Sequence, residues 1–445
     1  MGEADRRDLF VTGGRVVSPR GVERADVLVR RGGVEAVGEG VSPPPGTPRL
    51  DASGLLVFPG VIDPQVHFRE PGLEHKEDLA SGSLAAVAGG VTSFLEMPNT
   101  KPPTVDPERL ADKLRRAKGR CRADHAFFLG ATKENADRLG EWETLPGCAG
   151  VKVFMGSSTG TLLVEDDATL ERVLRSGRRR VAVHAEDEER LRQRLPLAER
   201  GAPARVHPDV RDVATALRAT TRLLDLVEKT RRPVHLLHVS TAEELALLRE
   251  RDLGDLVTAE TTPNHLFLAA PDCYERWGTL VQMNPPVRDA RHRDALREAL
   301  ADGTLACFGS DHAPHTIEEK ARPYPESPSG IPGVQTTLAL LLTAVREGWL
   351  RLEDVARVAC AGPARVYGLV GKGRLEQGAD GDLVLVDPAV RRPLPAEWLL
   401  SRAGHSPYTG TLLAGWPVAT ALRGRVVFRD GAPVGEPDGR PLSFA

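Results

Sequence analysis

The sequence lacks the features that mark several broad protein classes. Its formal net charge is only −3 over 445 residues, so it has no strongly basic surface for nucleic acid. No apolar run approaches the roughly 20 residues that a membrane span needs. The first eight residues are polar and charged, without the apolar segment of a secretion signal. We therefore expect a cytoplasmic protein that binds neither nucleic acid nor membrane.

Cysteine is scarce and unpaired in the sequence. The five cysteines stand singly, and no C-x-x-C pair is present. This spacing argues against both a zinc knuckle and a redox pair. We expect five reduced thiols that behave as small buried hydrophobic residues.

A Gly-rich phosphate turn is also missing after the first predicted strand, which argues against a doubly wound open sheet. Instead, the middle of the chain alternates between apolar segments of strand length and longer segments with helical periodicity. The predicted strands are 55–62, 91–97, 125–131, 149–155, 180–184, 233–239, 256–260 and 304–311. The predicted helices include 76–88, 107–117, 187–199, 210–228, 242–251, 289–301 and 334–347. Eight strand–crossover units predict an α/β fold, a (β/α)8 TIM barrel.

Both ends of the chain have a different texture from the middle. Short segments with a period near two, separated by glycine turns, occupy roughly the first fifty and the last seventy residues. Each end alone is too small for a core, so we expect one small β-sandwich domain built from both. The predicted division is 1–54 for the first part of the sandwich, 55–365 for the barrel and 366–445 for the second part.

Five potential metal ligands stand at the ends of predicted strands: His67, Lys152, His184, His238 and Asp311. The carboxyl ends of barrel strands meet at one face, where barrel enzymes keep their chemistry. Imidazole and carboxylate groups gathered there predict a metallohydrolase, because a metal makes hydroxide available near neutral pH. Asp311 could then bind an ion and accept a proton.

Lys152 lies between two valines in a central predicted strand, where a charged amine is costly. Next to divalent ions it could be converted to a carbamate, an anionic ligand able to bridge two metals. The alternative is a lysine that reaches solvent or pairs with an acid. Among the other histidines, we expect His235 to face away from His238 in a structural role. We expect His207, His265 and His292 to be solvated.

Beyond these residues, the chain resembles the dihydroorotases of the amidohydrolase superfamily from its first barrel strand to its C-terminus. The motifs that carry the resemblance are 67–72, 97–100, 150–152, 183–186, 238–240, 283–286, 310–315 and 378–383. The resemblance implies a distorted barrel with a composite β-sandwich and a site for one or two zinc ions. It also implies a cytoplasmic enzyme of pyrimidine biosynthesis that forms a homo-oligomer, a dimer or a tetramer.

The resemblance also implies roles for individual residues. The metal ligands would be His67, His184, His238, Asp311 and a carboxylated, bridging Lys152, with Asp311 as the catalytic base. The substrate would be held by four further residues: Arg69, Asn99, Asn284 and His315. The implied reaction is reversible hydrolysis of the ring amide of dihydroorotate, a small molecule, to N-carbamoyl-aspartate.

Gln65 departs from the family pattern, which usually has a histidine at this position. A glutamine carbonyl oxygen is a weaker ligand for zinc than imidazole. Three outcomes are open: two ions with Gln65 bound or not, one ion held mainly by His184, His238 and Lys152, or loss of catalysis. We expect an active enzyme, because the other ligands remain together.

Arg69 favours dihydroorotate as substrate, because a guanidinium can hold its carboxylate through two charge-assisted bonds. Allantoinases and hydantoinases lack this arginine, yet another cyclic amidase of this kind remains an alternative. A second alternative is a non-catalytic dihydroorotase-like subunit that supports aspartate transcarbamoylase. The Pro-rich stretch 321–332 follows the last predicted strand and is either a cover for the site or an ordinary surface loop.

Overall fold

The computed structural model describes residues 7–157 and 162–445 of the chain. The strands in these residues are β1 (Leu9–Thr12), β2 (Arg15–Ser18), β3 (Gly21–Arg24), β4 (Asp26–Arg30), β5 (Gly33–Gly38), β6 (Arg49–Asp51), β7 (Leu56–Pro59), β8 (Val61–Val66), β9 (Val91–Glu96), β10 (Asp124–Gly130), β11 (Cys148–Phe154), β12 (Val181–His184), β13 (Val234–Leu236), β14 (Val257–Thr261), β15 (Cys307–Phe308), β16 (Leu383–Pro393), β17 (Leu412–Leu422), β18 (Arg425–Arg429) and β19 (Ala432–Pro433).

Strands β8 to β15 form one parallel sheet in which each strand pairs with the next along the chain. The sheet closes at a bridge between Val66 and His312. There the His67 N–H donates to the His312 carbonyl oxygen at 2.8 Å. The fold is therefore the α/β (β/α)8 TIM barrel that the alternating pattern predicts.

Helices cover the outside of this barrel and form part of the connections between its strands. They are α1 (Leu79–Ala88), α2 (Pro107–Ala117), α3 (Leu139–Trp142), α4 (Asp167–Arg175), α5 (Glu188–Arg194), α6 (His207–Val210), α7 (Val213–Thr230), α8 (Ala242–Arg251), α9 (Pro263–Phe267), α10 (Asp272–Trp277), α11 (Ala290–Asp302), α12 (Ile317–Lys320), α13 (Thr337–Glu347), α14 (Leu352–Ala356) and α15 (Gly362–Tyr367). None of the described helices combines the length and the apolar character that crossing a bilayer requires.

Strand alternation determines which side chains reach the barrel interior. Val151 and Val183 belong to the large buried cluster that also contains Leu170 of α4 and Leu223 of α7. Because successive strand residues point to opposite faces, Lys152 between Val151 and Val153 points inward. Burial of the valines against the helices thus sets the direction of the polar residues between them.

The two ends of the chain form two further sheets. The first has the order β5-β4-β1-β6, and the second has the order β19-β18-β17-β16-β7-β2-β3. One buried apolar cluster joins Val11 and Val27 of the first sheet to Val57, Leu385 and Ala421 of the second. This arrangement is the β-sandwich from both termini that the sequence predicts.

Most predicted elements match the structure to within three residues at each end, but the predicted helix 187–199 already ends at Arg194 in α5, and two strands differ in their extent. The predicted strand 55–62 divides into β7, which pairs with β16 in the sandwich, and β8, which enters the barrel. The predicted strand 304–311 is reduced to Cys307–Phe308. The division 1–54, 55–365 and 366–445 stays a prediction, and the pairing of β7 favours a first limit near Gly60. All five cysteines are buried and free, as expected.

Candidate active site at the carboxyl ends of the barrel strands

Seven of the residues predicted to form the site line one small cavity at the carboxyl ends of the barrel strands. They are Gln65, His67, Lys152, His184, His238, Asn284 and Asp311. The cavity has a volume of about 20 Å³ and also touches Ser329 and Gly330. The structure thus brings together side chains that span almost 250 residues of the chain.

His184 and His238 face each other across this cavity. His184 Nδ1 lies 3.1 Å from His238 Nε2. On its other side, His184 Nε2 lies 2.9 Å from Glu186 Oε2, in a contact that is poorly aligned for a hydrogen bond. Burial acts to raise the pKa of Glu186, but Arg211 and His184 outweigh it and hold the pKa below its usual range. A charged carboxylate there keeps the proton on Nε2, so Nδ1 presents a lone pair to the cavity.

Backbone conformation, rather than strand alternation, directs His238 into the cavity. The sequence places His238 on the same strand face as Val234 and Leu236, yet both of those pack outward in the helix-facing cluster. Strand β13 ends at Leu236, and His238 takes a left-handed conformation with φ 38°. Strand alternation alone would therefore turn His238 away from the cavity, and the left-handed backbone brings it in. Asp311 shows the same conformation, with φ 46°.

His67 and Asp311 form a second facing pair. His67 Nδ1 lies 2.8 Å from Asn99 Oδ1, an oxygen that accepts its proton. His67 Nε2 therefore carries a lone pair, and it lies 3.2 Å from Asp311 Oδ1. Two electron-rich atoms at this distance need a cation or a proton between them. Asn99, predicted to bind substrate, is thus in contact with His67.

Lys152 is almost completely buried between these pairs. Its ammonium group lies 4.5 Å from the ring centre of Phe154, and no salt bridge to it occurs within residues 7–157 and 162–445. Burial lowers the pKa of Lys152 to about 7, while Asp311 and Glu260 counteract this in part. A large fraction of the amine is then neutral at physiological pH, and a neutral amine is the form that reacts with carbon dioxide.

Gln65 sits beside Asp311 in the cavity. Its side-chain Nε2 donates to Asp311 Oδ1 at 3.1 Å. Its Oε1 is buried, and no described group donates a hydrogen bond to it. An orphaned carbonyl oxygen among imidazole and carboxylate groups fits a weak oxygen ligand for a metal.

Arg69 is fully buried next to the cavity, held by the segment that follows β15. Its Nε donates to the Pro314 carbonyl oxygen at 3.1 Å, and its Nη2 lies 3.2 Å from His315 Nε2. No carboxylate forms a salt bridge with Arg69 among the residues that the structure describes. Burial lowers the pKa of Arg69 to about 10, and the guanidinium is therefore still charged near neutral pH.

His315 lies between two cationic side chains. Lys76 Nζ is 3.0 Å from His315 Nδ1, and Arg69 Nη2 is 3.2 Å from His315 Nε2. His315 Nε2 also lies 3.0 Å from the Ser329 carbonyl oxygen. His315 thereby ties Arg69 to the Pro-rich segment 321–332, whose Ser329 and Gly330 line the cavity. The segment 321–332 could be a cover for the site or an ordinary surface loop, and the structure supports the cover.

A larger cavity of about 370 Å³ adjoins the site and shares Asn284 and Ser329 with it. His207 contacts Asn284 from this side, with Nε2 3.0 Å from Asn284 Oδ1. The Nε2 proton is directed at this oxygen and at the Met283 carbonyl oxygen, also at 3.0 Å. Asn284 Oδ1 therefore accepts a hydrogen bond from His207. The side-chain NH2 group of Asn284 remains available to donate to a ligand.

Several residues near the site were not identified from the sequence or were misjudged. His207, His265 and His292 are buried, so the expectation that they are solvated was wrong. His235 lies between Val234 and Leu236, which pack towards the helices, and it is within hydrogen-bond reach of Thr258 and Glu260 on strand β14. It therefore faces the barrel interior, which corrects the expectation that it faces away from His238. Glu186, two residues after His184, was missed because a carboxylate in a loop carries no specific signal.

The donor set fits divalent metal ions. It combines the Nδ1 lone pair of His184, the Nε2 lone pair of His67 facing the Asp311 carboxylate, and a buried amine of lowered pKa. His67 Nε2 and the Asp311 carboxylate repel each other unless positive charge lies between them. His67, Lys152, His184, His238 and Asp311 are thus the residues that would hold the metal.

Comparisons with known proteins agree with this geometry. The amidohydrolase family profile matches residues 56–427. A dihydroorotase of Methanosarcina acetivorans is 35% identical over 435 residues, which cover 95% of this chain and 92% of the relative. A dihydroorotase of Pelobacter propionicus is 37% identical over 442 residues, covering 95% of this chain and all of the relative. The solved L-hydantoinase (dihydropyrimidinase) of Arthrobacter aurescens superposes with a TM-score of 0.92 at 29% identity, covering 98% and 99% of the two chains. This chain belongs to the amidohydrolase family and, within it, groups by sequence with the dihydroorotases.

Proposed function

We propose that this protein is a metal-dependent dihydroorotase that reversibly hydrolyses the ring amide of (S)-dihydroorotate to N-carbamoyl-L-aspartate. The observation that carries the substrate is Arg69, a buried guanidinium beside the candidate metal site that pairs with no described carboxylate. A buried charge without a partner is costly, and an anionic ligand would remove that cost. The curated dihydroorotases at 34% to 37% identity over nearly the full chain support the same reading.

The position of Arg69 distinguishes dihydroorotate from neutral ring ureides. Dihydroorotate carries a carboxylate next to its ring, and a guanidinium can bind it in a bidentate manner. Hydantoin and allantoin have no such carboxylate on the ring, so they would leave Arg69 buried and unpaired. Asn284, oriented by His207, would donate to a ring carbonyl oxygen or to the carboxylate.

Asp311 is the proposed base and proton carrier. It lies in the cavity within reach of His67 and Gln65, so a hydrogen bond from Gln65 can hold one of its oxygens in place. In the hydrolytic direction Asp311 would take a proton from the attacking water and pass it to the leaving ring nitrogen. A positioned proton carrier of this kind typically contributes about 10² to 10⁴ in rate.

The proposed cofactor is zinc, as one or two ions, held by His67, His184, His238, Asp311 and a carboxylated Lys152. When bound, the metal would polarise the ring carbonyl and lower the pKa of water to near neutrality. Lys152 supports this assignment through its burial and its lowered pKa. Gln65 would contribute an oxygen, and its orphaned Oε1 supports a place near the ion bound by His67.

Two further proposals concern the cellular setting. The useful direction would be ring closure in pyrimidine biosynthesis, in the cytoplasm, and the protein would form a homo-oligomer, a dimer or a tetramer. The non-catalytic alternative is disfavoured because six potential ligands remain together in one cavity. Hydantoinase activity stays an alternative because the L-hydantoinase of A. aurescens has the same overall fold.

An activity panel tests the proposal. Protein purified without chelator is assayed with dihydroorotate, hydantoin and allantoin, and its zinc content is measured on the same sample. We expect turnover of dihydroorotate in both directions and little or none of the neutral ureides. Turnover of hydantoin without dihydroorotate would show a hydantoinase. A metal-free protein that turns over none of the three and co-purifies with aspartate transcarbamoylase would show the non-catalytic subunit.

A further inference from the structure

A second group of potential metal ligands lies on three neighbouring barrel strands. His235 of β13, Glu260 of β14 and Cys307 of β15 are completely buried, and one ligand atom of each lies within 4.8 Å of the other two. His235 Nε2 is 3.1 Å from Glu260 Oε2, and Cys307 Sγ is 3.8 Å from Glu260 Oε2 and 3.9 Å from His235 Nε2. The proposed catalytic role uses none of these three residues.

The hydrogen bonds around His235 place a lone pair against the carboxylate. His235 Nδ1 lies 2.7 Å from Thr258 Oγ1, and the Thr258 hydroxyl in turn lies 3.5 Å from the Val234 carbonyl oxygen. If Thr258 donates to Val234, its oxygen accepts the proton of His235 Nδ1. His235 Nε2 is then unprotonated and faces Glu260 Oε2 at 3.1 Å, so a cation or a proton must lie between them.

The triangle of donor atoms matches one face of a tetrahedral zinc site. Zinc bonds of about 2.0 Å to nitrogen and oxygen and about 2.3 Å to sulfur give nitrogen–oxygen edges of about 3.3 Å. They give edges to sulfur of about 3.5 Å. The observed edges differ from these values by at most a few tenths of an ångström. A thiolate and a carboxylate also neutralise a divalent ion, which makes the buried group uncharged overall.

Two further features support an ion here. Glu260 Oε1 is buried, and no hydrogen-bond partner for it exists in the described part of the chain. A Cβ at Gly309 would lie 2.6 Å from this oxygen, so glycine at this position leaves room for the carboxylate. We propose that His235, Glu260 and Cys307 form a structural site for a zinc-type divalent cation, separate from the candidate catalytic metal site.

Tyr367 is the candidate for the fourth position, because structural zinc sites are four-coordinate. Its ring packs against His235 with the centroids 5.5 Å apart. Its hydroxyl is buried and lacks a hydrogen-bond partner among residues 7–157 and 162–445. Tyr367 ends α15, which follows the barrel, so an ion here would tie this helix to strands β13, β14 and β15. On binding, the Cys307 thiol and the Glu260 carboxyl would release their protons to solvent.

The sulfur donor provides a spectroscopic test that does not depend on activity. No cysteine or methionine lines the candidate catalytic cavity, so a metal–thiolate signal from this protein does not come from that cavity. The zinc-loaded full chain is examined by X-ray absorption, and a cobalt-substituted sample is examined for the thiolate-to-cobalt charge-transfer band. We expect a zinc–sulfur distance of about 2.3 Å and a clear charge-transfer band.

Three variants make the test specific. Cys307→Ser should abolish both sulfur signals and lower the zinc content by one ion per chain, and His235→Gln should weaken the signals. Cys360→Ser is the matched control, because Cys360 is equally buried but contacts only the Pro59 carbonyl oxygen among the polar groups described. It should leave both signals unchanged.

The opposite result would overturn the proposal. If wild-type protein shows no sulfur in the zinc environment and Cys307→Ser retains the same zinc content, a shared proton holds Glu260 and His235 together. Should Cys307→Ser fail to fold, the wild-type X-ray absorption measurement alone still decides between the two. The zinc environment of Lys152→Ala should keep its sulfur signal, which separates this site from the catalytic one.

Discussion

Two buried lysines of this protein have opposite surroundings. Lys372 connects the amino-terminal rim of the barrel to the β-sandwich, and its Nζ lies 2.6 Å from Asp124, 2.6 Å from Asp382 and 2.8 Å from Asp380. Lys152, at the other end of the barrel, has an aromatic ring at 4.5 Å and no described carboxylate within salt-bridge distance. The same type of side chain thus forms three salt bridges at one end of the barrel and none with a described residue at the other.

The pKa values show what this difference means. Burial acts to lower the pKa of Lys372, but Asp382 and Asp124 outweigh it and the pKa is raised. Burial lowers the pKa of Lys152 to about 7, because Asp311 and Glu260 compensate only in part. Lys372 is therefore a permanent cation that stabilises the fold, while Lys152 is available for chemical conversion and metal binding.

Removing the amine of Lys152 should have the largest effect. In Lys152→Ala we expect kcat to fall by about 10⁴-fold or more, since loss of metal chemistry removes several kcal/mol of transition-state stabilisation. Bound zinc should fall as well. The thermal midpoint of the metal-free protein should fall only modestly, because loss of the costly buried amine offsets part of the cost of the cavity left by its side chain. Activity, elemental analysis and calorimetry on the same preparation check these three outcomes.

Retained activity in Lys152→Ala would show that the amine has no part in the site and would remove the distinction between the two lysines. Chemical rescue provides a sharper check, because a short carboxylic acid can occupy the space of a lost carbamate. Restored zinc content and partial activity upon addition of acetate or propionate would support the carbamate specifically.

Substitution of Lys372 should show the reverse pattern. Lys372→Met leaves Asp124 buried with the Arg423 guanidinium, and it leaves Asp382 buried with a hydrogen bond from the Arg423 backbone N–H and no salt bridge among the described residues. Breaking a buried ion pair in this way costs about 3–5 kcal/mol of stability. We expect a clear downward shift of the urea midpoint with zinc content unchanged and activity per folded molecule within about twofold of wild type. A loss of zinc in Lys372→Met would contradict the division of roles.

The fold was predictable from the sequence because its signals are local and repeated. Apolar strands such as 149–155 recur around the barrel. Helices follow them, and α4, for example, begins after the N-capping residue Asp166. Helix α8 was predicted at Ala242–Arg251, which are its observed limits, and in the structure Thr241 and Glu244 form a capping box at its start. The divided strand at Gly60 was not predictable, because pairing of β7 with β16 depends on a segment over 300 residues away.

The site was predictable to the extent that strand ends converge in a barrel. Lys152 and His184 were placed correctly because alternation with outward valines fixes their direction. His238 needed a backbone turn at φ 38°, which periodicity does not encode. His207 was expected in solvent from its helix or loop surroundings, but it contacts Asn284. His235 was expected to face away from its spacing of three residues to His238, but it contacts Thr258 of the neighbouring strand.

Arg69 extends the comparison to a third buried cation. Like Lys152 it has no described carboxylate partner, but its charge persists at neutral pH because burial lowers its pKa only to about 10. In Arg69→Met we expect kcat/KM for dihydroorotate to fall by about 10²-fold, since a charge-assisted hydrogen bond is worth about 1.5–3 kcal/mol. Arg69→Lys should lose less. Steady-state kinetics with matched zinc content test this, and an unchanged kcat/KM in Arg69→Met would remove the reason for preferring an anionic substrate.

The smallest predicted effect is also the most direct test of the contrast between the lysines. Only the neutral amine reacts with carbon dioxide, and a pKa of about 7 makes Lys152 about 9% neutral at pH 6, about 50% at pH 7 and about 90% at pH 8. At constant dissolved carbon dioxide, metal-free protein should therefore take up ¹³C label at a rate that rises about fivefold from pH 6 to 7. Above pH 8 the rate should level off.

Lys152→Ala should show none of this uptake, and Lys372, whose pKa is raised, should remain unlabelled throughout. A rate that still increases about tenfold per pH unit between 7 and 9 would indicate an ordinary lysine, and Lys152 would then resemble any solvent-exposed amine.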